Sequence, residues 1–199
     1  MSSVISSVWA LVRVGERLSW FDALFAYAAL PMMLLYPFEG VNEGMRAFCA
    51  ANAAAQLALF LAVVQLPGLF TGKMSYVDIG WPSGLVVISV LAYSMGTGNQ
   101  VRKAAACGAL FFHGARMAVG ALAMFFPYTF PNGDLPRYKF AKIRWLQTPG
   151  GSALGERWWP LKAQLDTFGQ ATANAAFLSI PVALCAFNVG SFLKVFLLT

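Results

Sequence analysis

Five apolar stretches, each about long enough to cross a lipid bilayer, dominate this chain of 199 residues. They are rich in Ala, Leu, Phe and Val, and they lie at about 20–38, 47–66, 76–95, 104–126 and 167–187. A spanning helix needs roughly 20 mostly apolar residues, whereas a membrane β-barrel shows segments of about 10 residues with strict alternation. Because backbone polar groups must pair internally in lipid, the sequence predicts an all-α fold, a polytopic transmembrane helical bundle of about five spans.

The composition supports a membrane location and argues against a nucleic-acid partner. The chain is 59% hydrophobic and only 11% charged, whereas soluble domains carry about 25% charged residues. Its net charge is +6, but the basic residues flank the spans, where anionic lipid headgroups or a partner subunit would meet them. The three cysteines lie inside apolar runs without metal-ligand spacing, so we expect buried free thiols and no metal site.

The chain divides into an amphipathic amino-terminal segment at 1–19 and a single transmembrane helical domain at 20–199. The first segment has apolar residues at helical spacing and is predicted to lie on the membrane surface. The second contains a long polar loop at 127–165. Nine basic residues fall on the side of the amino terminus and this loop, and four on the other side. That asymmetry places the loop on the cytosolic or matrix side.

The first polar motif lies at the start of span three. Ser75 and Asp78, three residues apart, predict a capping-box arrangement at a helix start, and Trp81 suits the interfacial aromatic belt. The alternative interpretation is a polar notch in a substrate or cofactor pocket.

The second motif, His113 and Arg116, lies inside span four. An intramembrane charged residue usually faces the bundle interior or a water-filled cavity, so Asp78 or Asp22 is expected to pair with Arg116. The pair would lock the bundle, or Arg116 would instead form an anion site for a phosphate or lipid headgroup. His113 is interpreted as structural, because no second metal ligand accompanies it.

In the third motif, at 134–145, basic residues alternate with aromatic and apolar ones. This pattern predicts a short amphipathic helix on an anionic membrane surface, or ordinary positive-inside charge. Its surface basic residues are Lys139, Lys142 and Arg144. We assign no catalytic residue, and we expect a polar cluster or lipid-headgroup site formed by Asp78, Trp81, His113, Arg116, Arg137 and Tyr138.

Taken in order, these motifs resemble the steroid 5-alpha-reductase superfamily, in particular its broad branch of uncharacterised membrane proteins. The resemblance covers about residues 70–190. It rests on a Ser-x-Val-Asp-x-x-Trp helix start, a Gly-x-Arg helix, an acidic-x-x-Arg-Tyr segment and a helix with Gln and Ser-x-Pro. The matching residues are Ser75, Val77, Asp78 and Trp81, then Gly114 and Arg116 with His113 replacing a Trp, then Asp134, Arg137, Tyr138 and Arg144, and finally Gln170 and Ser179 to Pro181.

The resemblance implies a reductase-like helical scaffold that lacks the family's carboxy-terminal cofactor half. That half carries an Arg-His-Pro-Asn-Tyr-x-Gly-Glu type motif, which has no counterpart here. The resemblance therefore implies that NADPH has no site unless another polypeptide supplies one.

Three function classes follow from these observations. The first is a non-catalytic accessory subunit of a larger membrane complex, with other membrane subunits and lipids such as cardiolipin as partners and bound phospholipid in place of a cofactor. A respiratory complex of the mitochondrial inner membrane is favoured, with the endoplasmic reticulum and the bacterial inner membrane as alternatives. The second is an NADPH-dependent reductase of lipid or steroid-like double bonds, as a fragment or split enzyme. The third is an anionic-lipid-binding membrane protein that uses Arg116 and the basic loop.

Overall fold

The computed structural model describes residues 43–188. The predicted surface segment at 1–19, span one at 20–38 and the tail at 189–199 lie outside the described residues. Within 43–188 the chain forms helices joined by short turns, with no strand. This confirms the predicted all-α fold for the described part of the chain.

Residues 43–188 contain eight α-helices longer than one turn, labelled here in chain order, which are joined by 3-10 turns and π-helical segments. The first half contains α1 (Glu43–Phe60), a π-helical segment (Leu61–Gln65), α2 (Leu66–Thr71), a 3-10 turn (Met74–Tyr76) and α3 (Val77–Met95). It is followed by α4 (Gln100–Met124), a π-helical segment (Phe125–Thr129) and one helical turn (Phe130–Asn132). The remainder contains α5 (Pro136–Leu146), α6 (Pro149–Leu154), a 3-10 turn (Glu156–Trp158), α7 (Trp159–Ala173), a π-helical segment (Asn174–Leu178) and α8 (Ser179–Ala186).

In the described part of the chain, four continuous helical stretches are long and apolar enough to cross a membrane, and they correspond to predicted spans two to five. Their bounds are Glu43–Thr71, Met74–Met95, Gln100–Pro127 and Glu156–Ala186. The protein is therefore an integral membrane protein. The helix of span five begins at Glu156, about ten residues before the apolar stretch predicted at 167–187. In this additional part of the helix, Trp159 and Ala163 pack against Met74. Much of the expected polar loop at 127–165 is consequently helical.

Helix α3 is the centre of the described bundle, with α1, α4 and α8 packed around it. Gly114 of α4 permits a close approach of α4 to α3, because a Cβ there would lie 2.7 Å from the Pro82 carbonyl oxygen and 2.8 Å from Leu85 Cβ. Small residues of this kind let membrane helices pack backbone against backbone.

Span two contacts the bundle through two buried amides, Asn52 and Gln56. Their four-residue spacing in the sequence predicts one shared face and a helix-to-helix contact. The Gln56 amide donates to the Asn52 side-chain oxygen at 3.2 Å and to the Gly84 carbonyl at 2.9 Å. Asn52 donates to the Ala175 carbonyl at 3.3 Å, and Asn174 donates to the Trp81 carbonyl at 3.0 Å. These bonds join α1, α3 and the π-helical segment Asn174–Leu178 of span five in the bundle core.

The two ends of the bundle are closed differently. At one end, the Arg102 guanidinium donates to the Cys185 carbonyl at 2.9 Å and the Phe187 carbonyl at 3.3 Å, which satisfies carbonyls that the end of α8 leaves free. The other end carries residues 72–75 and 131–158 and is called here the polar end. Of the three cysteines, all free, only Cys107 is buried, so the expectation of buried thiols holds for that residue alone.

Candidate functional site

The Asp134 carboxylate, in the segment that follows span four, caps the start of span three. Its carboxylate accepts the Met74 backbone N–H at 2.9 Å and the Ser75 backbone N–H at 3.0 Å. The Ser75 hydroxyl also donates to Asp134 and accepts the Leu135 N–H at 3.1 Å. A carboxylate in this position satisfies free N–H groups and complements the helix dipole.

The predicted capping box of Ser75 and Asp78 is therefore wrong. Tyr76, which precedes α3, provides no side-chain cap, and the Ser75 hydroxyl bonds to Asp134 instead. The cap comes from a residue 59 positions further along the chain, and Asp78 is left available for a different contact.

Asp78 binds two consecutive residues at the start of α5. The Tyr138 hydroxyl donates to Asp78 Oδ1 at 2.8 Å, and the Arg137 guanidinium forms an ion pair with Asp78 Oδ2. The Arg137 side chain is 60% exposed whereas that of Asp78 is 19% exposed, so solvent screens the pair from one side. Arg137 also lies over the Tyr138 ring at 5.1 Å, within the range of a cation–π contact.

The electrostatics of this group keep both α5 residues protonated. Burial, followed by the charge of Asp78 and the hydrogen bond to it, raises the pKa of Tyr138 well above that of an exposed phenol. The hydrogen bond to Asp78 likewise raises the pKa of Arg137. Tyr138 is thus a neutral donor at physiological pH, and Arg137 balances the carboxylate charge.

An open cavity of about 330 Å³ lies beside this group. Most of its lining is apolar, and it is formed by Val77, Asp78, Trp81, Pro82, Met117, Ala121, Met124, Arg137, Tyr138 and Gln170. An apolar wall with a few convergent polar groups is the usual composition of a small-molecule site. The predicted site did not include Gln170, a polar residue that also lines this cavity. Gln170 is one of the residues on which the resemblance to the reductases rests, and this was a signal for it.

The structure thus brings four of the six predicted residues together, Asp78, Trp81, Arg137 and Tyr138, and separates the other two. His113 and Arg116 are exposed on α4, so the expectation that they face the bundle interior is wrong for the described residues. The reason is the small-residue stripe Cys107, Gly114 and Ala118, which is buried on the opposite side of α4. Asp78 pairs with Arg137 rather than Arg116, and Asp22 lies outside the described residues.

The basic motif at 134–145 forms helix α5, as its pattern predicted. Its inner side packs through Tyr138 and Trp145 beside Met74 and Trp159. Its outer side exposes Phe140 by 62% and Ile143 by 54%, together with Lys139 and Arg144. Lys142 forms an ion pair with Glu156. Contact of this helix with a membrane surface stays a prediction.

Searches for relatives leave the resemblance as a prediction. No protein-family model matches the chain, and no curated protein or solved structure matches it either. Within residues 43–188, no group of three or more His, Cys, Asp or Glu side chains could hold a metal ion. The site is therefore defined by its own geometry, a carboxylate, a neutral phenol and a guanidinium at the mouth of an apolar cavity.

Proposed function

We propose that the chain is a non-catalytic accessory subunit of a larger membrane complex, in which the outward face of α4 contacts another subunit. The observation that carries this proposal is the exposed position of Arg116 and His113 on a helix that is long and apolar enough to span a membrane. The favoured setting remains a respiratory complex of the mitochondrial inner membrane.

The depth of Arg116 makes exposure to lipid costly. The residue lies 11 positions before Pro127 and 16 after Gln100, the two ends of the span, which is roughly 16 Å from the nearer end at about 1.5 Å per residue. A charged side chain at the centre of a bilayer costs at least about 2.5–3.5 kcal/mol. A partner helix that offers a carboxylate or carbonyl groups would remove that cost.

The surroundings of Arg116 also fit a helix-to-helix contact. Only 17% of the most apolar stretch of span four is buried, compared with 56% for span three. Phe112 and Val119 flank Arg116 on the same side and are 70% and 65% exposed. Elsewhere in the described part of the chain, the carboxylates of Asp78, Glu156 and Asp166 pair with other cations.

Photo-crosslinking in native membranes tests this proposal. A benzoylphenylalanine at position 119 should form an adduct with another polypeptide, because Val119 lies on the proposed contact face. The same probe at Val90, which is 51% exposed on α3, is the matched control and should not form that adduct. Adducts at position 119 that contain only lipid or the chain itself would contradict the proposal.

A second candidate, the NADPH-dependent reductase, is favoured by one observation, the neutral Tyr138 phenol beside Asp78 at the cavity. The described residues do not fit the cofactor: the cation that lines the cavity, Arg137, is already paired with Asp78. The cofactor site would have to come from another polypeptide. Failure of the purified chain and of its co-purified partners to bind NADPH would exclude this candidate.

The third candidate, a lipid-binding protein that uses Arg116, predicts that anionic lipid rather than protein covers α4. Under this hypothesis, Arg116→Leu should lower the anionic lipid that co-purifies with the chain. Unchanged lipid content together with loss of a protein partner would favour the accessory subunit instead.

A further inference from the structure

The structure contains a second cleft, separate from the Asp78 cavity, between α2 and the start of α7. Its larger part has a volume of about 650 Å³ and is lined by Leu69, Arg157, Trp158, Pro160, Leu161 and Gln164. A smaller recess of about 60 Å³ continues from it, sharing Leu69, Pro160 and Gln164 and reaching Lys73. The cleft therefore runs between the carboxyl end of span two and the amino end of span five.

The cleft combines an apolar wall with positive charge. Leu69 is 56% exposed, Leu161 43% and Trp158 36%, which leaves an apolar surface open to the surroundings. The charged side chains that line the two parts are Arg157 and Lys73, both basic. Glu156, the nearest carboxylate in sequence, pairs with Lys142 and so does not neutralise Arg157.

The position of the cleft matches the membrane interface. Both helices that form it end or begin a membrane-spanning stretch there, and Trp158 is of the residue type that is enriched at headgroup level. An arginine beside an apolar groove at this level can hydrogen-bond a phosphate through its guanidinium fork. The leucines lie where an acyl chain would continue from that phosphate.

From this geometry we infer that the cleft between α2 and α7 binds an anionic phospholipid, with its phosphate at Arg157 and an acyl chain against Leu69 and Leu161. This site lies on different helices from the proposed subunit contact on α4. The lipid-site proposal can therefore be tested independently of the accessory-subunit proposal.

Native mass spectrometry of the purified chain, titrated with phosphatidylglycerol or phosphatidylcholine, tests the site. Phosphatidylglycerol should bind in preference, and Arg157→Gln should weaken its binding about tenfold, as expected for the loss of a charge-assisted hydrogen bond. Arg157→Lys, which keeps the charge, should restore part of the affinity. The matched control Arg46→Gln removes an equally basic, exposed residue outside both the cleft and the basic loop and should change the affinity by less than about twofold.

A second pair of variants tests the apolar wall. Leu161→Ala should weaken phosphatidylglycerol binding, whereas Leu122→Ala, at a leucine of similar exposure on α4, should not. Equal effects of Arg157→Gln and Arg46→Gln would overturn the assignment, as would displacement of the lipid by inorganic phosphate alone. All of these side chains are at least partly exposed, and unchanged unfolding transitions would show that each variant keeps its fold.

Discussion

Span three and span four pack against each other and have similar apolar character, yet they place their polar residues differently. In span three, Asp78 is satisfied by Arg137 and Tyr138, and Ser83 and Ser89 donate to carbonyls of their own helix. In span four, Arg116 and His113 face away from the bundle. Hydropathy therefore identifies both helices as spans but does not show that the most apolar stretch of span three is 56% buried by its own chain and that of span four only 17%.

The contact between the two spans should depend most strongly on Gly114. Gly114→Ala would place a Cβ within 2.7 Å of the Pro82 carbonyl oxygen and force the helices apart, which should lower the free energy of unfolding by about 1–3 kcal/mol. Gly120→Ala, on the same helix with nothing within 4 Å, should be neutral or slightly stabilising, because Ala favours helix more than Gly does. Reversible unfolding in mixed detergent micelles measures both, and equal responses would contradict the packing described here.

The next largest effect is expected at the start of span three. Asp134→Ala removes the acceptor of the Met74 and Ser75 backbone N–H groups and should cost about 1–2 kcal/mol of unfolding free energy. Glu156→Ala also removes a carboxylate at the polar end, but from an ion pair in which the Glu156 side chain is 70% exposed, and should leave stability nearly unchanged. Indistinguishable unfolding midpoints for the two variants would show that Asp134 does not cap the helix.

Local patterns in the sequence predicted what depends on a single helix. Apolar length located spans two to five, and the four-residue spacing of Asn52 and Gln56 predicted their shared buried face. The Asp134 cap was missed because it joins residues 59 positions apart, for which no local pattern exists. The outward position of Arg116 was predictable in principle, since Cys107, Gly114 and Ala118 mark the opposite side of α4 as the small-residue packing face.

Part of the predicted polar cluster is found together in the structure. Asp78, Arg137 and Tyr138 were expected in one cluster at the polar end, and they are neighbours there. The ion pair itself was assigned to the wrong arginine. A cation inside a span was expected to need the nearest carboxylate, but α5 brings Arg137 to Asp78 from outside the span.

The pH dependence of stability tests the site on span three. Because the folded-state pKa of Tyr138 is raised, its stabilising contribution should be present below the ordinary tyrosine pKa of about 10 and should be lost as pH rises through the folded-state pKa. Tyr138→Phe should therefore lower the unfolding free energy near neutral pH by about 1 kcal/mol, the worth of one hydrogen bond. That difference should shrink in strongly alkaline solution.

Two further variants assign this effect to Asp78. Asp78→Asn should move the spectrophotometric titration of Tyr138 to lower pH, because the carboxylate charge and its hydrogen bond are two of the causes of the raised pKa. Tyr93→Phe, at a half-exposed tyrosine on the same span, should not reproduce the pH-dependent difference. A Tyr138 titration that is unchanged in Asp78→Asn would place the cause of the shift elsewhere.

The smallest change in the unfolding free energy of the isolated chain is expected for a substitution of Arg116. This variant most clearly distinguishes span four from span three. Since Arg116 is exposed and Asp78 pairs with Arg137 instead, Arg116→Leu should change the unfolding free energy in micelles by no more than about 0.5 kcal/mol. In native membranes, the same substitution should release the chain from its complex, whereas Arg144→Leu should not. A large loss of stability in micelles would mean that the chain itself covers Arg116, and the accessory-subunit proposal would then lose the observation that carries it.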